Sequence, residues 1–111
     1  MPTREEVIEA LEAARKKLLT EDAKKEFKGW NRTIQYYFTD SDEYWHFKVE
    51  DGIPGELINT EAEDAEIQFK MKEDTLIGLI DGSINGMRAF TMGKIKVKAS
   101  LKDISKLQKL V

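Results

Sequence analysis

Among its 111 residues the sequence holds no cysteine and one histidine, His46. The first absence excludes disulfide frameworks, cysteine-ligated zinc or iron–sulfur sites and thiol nucleophiles. The second leaves too few imidazoles for a His-rich metal site or for a serine triad with a spare histidine. No stretch reaches the roughly 18 consecutive apolar residues of a membrane span. Met1-Pro2-Thr3 leads straight into a charged helical pattern without the apolar core of a signal peptide, which predicts a cytoplasmic protein. Internal repeats, low-complexity tracts and linkers long enough to divide the chain are also missing. One domain over residues 1–111 follows, large enough to bury roughly two-thirds of its unfolded surface around a single core.

What is present is 41% hydrophobic and 35% charged, with a net charge of -3. The charges are unevenly placed. Residues 1–28 carry seven basic and seven acidic groups, residues 29–75 four and twelve, and residues 76–111 seven and two. In a compact domain the acidic middle and the basic end face each other across a sheet, and a solvated strand face accounts for the lysine row Lys94, Lys96, Lys98 better than a phosphate track does. No nucleic-acid partner is expected, and contact with a membrane surface is at most transient.

Helical and strand periods divide the chain. Thr3 and Glu6 form a capping box, and Val7, Ile8, Leu11, Ala14 and Leu18 recur on one helical stripe. Thr20 can cap a short second helix with Ala23 and Phe27, which Gly29 ends. From Trp30 the period becomes two: Ile34, Tyr36, Phe38, then, after the turn Asp40-Ser41-Asp42, Trp45, Phe47, Val49. A third strand is expected at Glu56–Asn59 after the turns at Asp51-Gly52 and Pro54-Gly55. A fourth carries Ala65, Ile67, Phe69 and Met71. Residues 75–82 read as an unusually apolar helix, followed by a helical turn around Ile84–Phe90. A strand over Gly93–Ser100 places Ile95, Val97 and Ala99 inward, and a last helix from Asp103 sets Ile104, Leu107 and Val111 on one side. Strands with one apolar and one wet face suit an α+β layer architecture, with helices covering one side of the sheet.

Few residues carry chemistry. His46 falls at an outward strand position and reads as a satisfied surface imidazole. Asp40, Asp42 and Glu43, like Glu61, Glu63 and Asp64, sit where side chains make turns, and no stretch has the ligand spacing of a calcium loop. Gly82-Ser83-Ile84-Asn85-Gly86 follows a helix, whereas phosphate-cradling loops run from a strand into one. An enzyme using a cavity carboxylate needs an acid on an inward strand position, and positions 34, 36, 38, 45, 47, 49, 67 and 69 hold none. The unusual feature is the abundance of aromatic and methionine side chains near a helix pair with apolar residues in more than one direction. Such residues fill a core or line a cavity, and periodicity does not separate the two.

Several stretches share one order and spacing: Asp64-Ala65-Glu66-Ile67, Leu76-Ile77-Gly78-Leu79 with Gly82, Asn85, Ala89-Phe90, and Gly93-Lys94-Ile95-Lys96-Val97. With the Trp45 hairpin, the Asp51-Gly52 turn and Leu107-Gln108, the chain resembles the sterol carrier protein type 2 (SCP2) domain family over nearly its whole length. Gly86 stands where the family usually has proline, and Ala99 where it usually has glycine. Ser105-Lys106-Leu107 is internal and is not read as a peroxisomal address.

The resemblance implies a five-stranded mixed sheet with helices on one face, enclosing an apolar tunnel that holds fatty acids, acyl-CoA, sterols or other lipids without transforming them. The residues matching inward positions are Phe38, Trp45, Phe47 and Phe69 from the sheet and Ile77, Ile80, Met87, Phe90 and Met92 from the helices, with Ile95 beside them. Lys94 or Arg88 would meet an acidic head group. No catalytic residue, cofactor or metal ion is implied. The alternative is an accessory protein that presents a prenyl-type lipid to biosynthetic enzymes.

Overall fold

The structure, a computed structural model, describes residues 2–110. Val111, assigned above to the apolar side of the last helix, lies outside the described residues.

Helix α1 spans Arg4–Lys16 and opens with both halves of the capping box: the Thr3 hydroxyl accepts from the Glu6 amide, and the Glu6 carboxylate accepts from the Thr3 amide. Val7, Ala10 and Leu11 are buried. A 3-10 turn over Lys17–Leu19 buries Leu18 and leads to α2, Glu21–Glu26, capped by the Thr20 hydroxyl. Phe27 is fully buried and meets Trp30 edge-on, with ring centroids 5.0 Å apart.

Five strands follow: β1 Arg32–Phe38, β2 Glu43–Glu50, β3 Ile53–Pro54, β4 Ile67–Met71 and β5 Lys96–Lys98. They form one sheet in the order β3-β2-β1-β4-β5, parallel between β1 and β4 and antiparallel elsewhere. Between β4 and β5 come α3, Glu73–Asp81, and α4, Gly86–Thr91; α5, Leu101–Gln108, closes the chain. The register aligns Tyr36 with Trp45 on one side and Phe69 on the other, so one face of the sheet is apolar except at Arg32 and Glu43 at its ends, and it receives the helices.

Four expectations need correcting. The third strand is Ile53–Pro54; within the expected Glu56–Asn59, Ile58 alone pairs with β2, as an isolated bridge to His46. Asp51 and Gly52 both take positive φ, 51° and 76°, so a two-residue turn closes at once and the chain pairs with β2 immediately beyond it. Pro54 is tolerated there because β3 is an edge strand. Second, His46 points outward but is buried. Ile58 pairs with the His46 backbone along the edge of β2, and beyond it the chain runs across that side of the sheet: Thr60 places its carbonyl 2.7 Å from the His46 Nδ1, and the Ala62 amide donates to Gln35. Buried polar groups require such partners. Third, β5 is three residues long, because Gly93 adopts φ 78° and the Lys94 amide donates to Ala89, holding that stretch against the end of α4. The last helix begins at Leu101 behind a Ser100 cap, two residues before the expected start.

Candidate functional site

The apolar face is packed unevenly. Toward β1 and β2 it is sealed: Phe38, Phe47 and Val49 are at most 1% exposed. Toward β5, Phe69 and Val97 stand opposite one another across the β4–β5 ladder and are both half-buried. The covering elements behave alike. Ile77, Leu79 and Ile80 of α3, Ile84 beyond it and Leu107 of α5 are partly buried against the core, with Leu76 the large apolar residue α3 buries, whereas α1 on the other side buries Val7, Ala10 and Leu11 and leaves Ile8 partly buried. Helix α3 is built for such a position. Two of its three acids, Glu73 and Asp74, sit in the first turn where the dipole favours them, it carries no cation, and Gly82 at φ 85° ends it directly after Asp81. Gly78 lets the chain fold back tightly: a Cβ there would lie 2.4 Å from the Ile84 side chain.

Tyr36 marks the boundary between the two halves. Its ring stacks on Phe69 at 5.2 Å, and burial pushes its hydroxyl up to about 12. The surroundings are therefore poor at solvating charge.

The ten residues named from the sequence fall into three groups. Phe38, Trp45, Phe47 and Ile95 are buried in the core. Phe69, Ile77 and Ile80 are half-buried in the loosely packed half. Met87, Phe90 and Met92 are exposed at 65%, 50% and 61%. Ala89 is the residue α4 buries, so Met87 and Phe90 look away from the core.

Two clefts open to solvent, neither lined by any of these ten. One, of about 380 Å³, lies between α2 and the end of α5. The other, of about 500 Å³, has Met71, Thr75 and Ile84 on its walls and Lys70, Lys72, Lys94 and Lys96 around it, with Asp74 the one acid. Lys70 and Lys72 were missed because alternation along β4 marks them only as outward. Their meeting with Lys94 and Lys96 depends on the β4–β5 register, which sets Lys70 directly opposite Lys96. Like charges in that relation repel. None of the four joins an ion pair among the described residues.

The buried acid lies elsewhere. Asp103 of α5 accepts from Arg32 at 2.8 Å and from the Trp30 indole at 3.2 Å, which ties α5 to the start of β1. Among the described residues no group of three or more His, Asp or Glu side chains is arranged to hold a metal ion, and no helix is long and apolar enough to cross a membrane.

A five-stranded mixed sheet with helices on its apolar face and a loosened half beneath α3 defines an α+β domain of the sterol-carrier type. The model of the SCP-2 sterol transfer family matches residues 11–111, and the chain belongs to that family. Sequence comparison alone matches no curated protein. Among solved structures, the fold is similar to sterol carrier protein 2 like 2 from Aedes aegypti, at TM-score 0.73 and 12% identity, covering 97% of this chain and 98% of that one. It is also similar to sterol carrier protein 2 from Aedes aegypti in complex with palmitate, at TM-score 0.68 and 16% identity, covering 98% and 94%. A third likeness is to the sec-alkylsulfatase Pisa1 from Pseudomonas sp., at TM-score 0.64 and 16% identity. It covers 79% of this chain, which spans 14% of that enzyme.

Proposed function

We propose that the protein binds a long apolar ligand, such as a fatty acid, acyl-CoA, sterol or other lipid, and passes it on without transforming it. The ligand enters a tunnel between the β4–β5 half of the sheet and the helices above it. The observation that carries this reading is the packing gradient. The apolar face is sealed beneath α1 but meets half-buried Phe69, Val97, Ile77 and Ile80 beneath α3. A ligand that separates these side chains exchanges its own contact with water for contact with them, at about 0.8 kcal/mol per methylene. The family match and the palmitate complex of the Aedes protein support the same reading.

The test is titration of the purified protein with a fluorescent fatty acid, together with mass spectrometry of its organic extract. Saturable binding and a co-purified lipid are the expected results; a clean extract with no saturable binding overturns the proposal. Ile80→Trp fills the space beneath α3 and should abolish saturable binding while thermal unfolding stays cooperative. Unchanged affinity would remove Ile80 from the site.

A further inference from the structure

On the side of the sheet away from the helices, charge is divided by sign. Beyond Ile58 the chain crosses that side as a strap, fixed by the Thr60 carbonyl at the His46 ring, by the Ala62 amide donating to Gln35, and by the Gln68 side-chain amide donating to the Ala65 carbonyl at 3.1 Å. The strap carries Glu61, Glu63 and Asp64 above the strands, all of them exposed. Beside it the sheet is bare. Tyr44, Tyr37, Lys70 and Lys96 stand in register across β2, β1, β4 and β5, and Lys98 lies opposite Gln68 in the neighbouring row. The surface is thus a ridge with three acids next to a shelf with three exposed lysines. Lys48 and Glu50, further along β2, add one charge of each sign and leave the division unchanged.

Neither sign is neutralised within the chain. None of these three acids and three lysines joins an ion pair among the described residues. The acidic middle and the basic end of the sequence therefore share one face without meeting. Lysines on an edge strand such as β5 discourage pairing with other chains, but Lys70 belongs to β4, inside the sheet, and stands directly opposite Lys96. The shelf also offers aromatic surface. The Tyr37 and Tyr44 rings are 4.6 Å apart and both half-buried, with the Lys70 ammonium 5.8 Å from the Tyr37 ring.

Such a face is complementary to itself. A two-fold axis passing between ridge and shelf turns the ridge of one copy onto the shelf of the other, and an isologous contact makes every pairing twice. We infer that the outer face of the sheet is a self-association surface, on which a second copy of this chain sets Glu61, Glu63 and Asp64 against Lys70, Lys96 and Lys98. The opposed Lys70 and Lys96 then gain the anions that a single copy does not give them, and the tyrosines supply the kind of side chain that interfaces favour. An extended polyanion such as nucleic acid fits less well, because the acidic ridge repels its phosphates. Four strands about 4.8 Å apart and some six residues long give a footprint of roughly 400 Å², about half of what one partner contributes to a standard stable interface. The dimer is therefore weak and reversible, with a Kd on the order of 100 µM. The inference does not rest on the lipid-binding reading, since the helices and the space beneath them lie on the other side of the sheet.

The experiment is sedimentation equilibrium of the full chain from about 10 µM to about 1 mM, concentrations that bracket such a Kd. It is run in about 20 mM and about 0.5 M sodium chloride, where the screening length falls from roughly 20 Å to roughly 4 Å. A monomer–dimer equilibrium is expected in low salt, weakened about ten-fold or more in high salt. Lys70→Glu/Lys98→Glu and Glu61→Lys/Glu63→Lys should each stay monomeric alone. An equimolar mixture of the two should form a mixed dimer, because the reversed lysines of one meet the reversed acids of the other. Lys16→Glu/Lys17→Glu, at the end of α1 on the helical side, should dimerise as the wild type does. Melting curves check that the variants fold; should a reversal unfold the chain, Lys70→Gln/Lys98→Gln repeats the test without adding charge and should weaken the dimer. Wild-type protein that stays monomeric in low salt, or that grows beyond a dimer, overturns the inference. So do full dimerisation by the outer-face variants, a mixture that stays monomeric, and loss of the dimer in the α1 variant. Fatty-acid titration of Glu61→Lys/Glu63→Lys, expected to match the wild type, separates this failure from failure of the ligand site.

Discussion

At Asp103, burial pushes the carboxyl up. Hydrogen bonds from Arg32 and Trp30, the Arg32 charge and the Ser100 hydroxyl together outweigh burial and hold it below its usual value of 3.8. A carboxyl lowered by folding contributes stability above its unfolded value, and that contribution is lost as the pH falls through the folded value. Asp103→Asn keeps the shape but leaves Arg32 without its anion. It should lower stability by about 2–3 kcal/mol near neutral pH, by the usual cost of a broken partly buried pair. The gap from wild type, measured by urea unfolding, should shrink as the pH falls below the usual carboxyl value of 3.8 and through the lowered folded value; an equal gap at neutral and acid pH would show that the charge is not what matters. The sequence showed Asp103 only as an acid near a helix start. Its partners lie 71 and 73 residues away, and local spacing carries no information about pairings of that kind.

Among the elements, those with a strong period were legible. Alternation located β1, β2 and β4, and capping residues with apolar spacing located α1 and α3. Elements set by backbone conformation were not. Two turn signals stand together at Asp51-Gly52 and Pro54-Gly55, and nothing local says that β3 fits between them. Gly52 also has a tertiary reason to be glycine: a Cβ there would lie 2.5 Å from the Phe27 carbonyl oxygen, on top of a φ of 76°. Gly29 shares the positive φ, at 79°, but has nothing within 4 Å of that position. Gly29→Ala should therefore cost about 1–2 kcal/mol for the left-handed backbone alone. Gly52→Ala should cost about 3 kcal/mol or more, because backbone must also move. Urea unfolding of the two variants checks the difference, and equal losses would mean that the Phe27 contact yields easily.

Over the whole molecule, the sheet order places β1 at the centre, paired with the next strand in sequence on one side and with a strand some thirty residues further on the other. The family pattern conveyed a five-stranded mixed sheet, and neither it nor periodicity gave this order. The pattern of inward residues likewise identified which side chains face the helices but not how closely the two layers meet. That closeness separates sealed Phe47 from half-buried Phe69, although both alternate in the same way. Met87, Phe90 and Met92 were assigned to the interior from the family pattern, and the burial of Ala89 turns them outward instead.

Helix α4 is bracketed by Gly82 and Gly93, both at positive φ and both with open space around them, and Ala89 is its buried anchor. The backbone amides of α4 should then exchange with deuterated solvent through local opening, well before those of β1 and β4, which require the sheet to come apart. Hydrogen exchange followed by mass spectrometry resolves the two, and equal protection would show that α4 is fastened as firmly as the sheet. Protection confined to the sheet would make the segment carrying exposed Met87, Phe90 and Met92 a swivelling flap. Its orientation would be set by what it touches, at little cost to the stability of the domain that carries it.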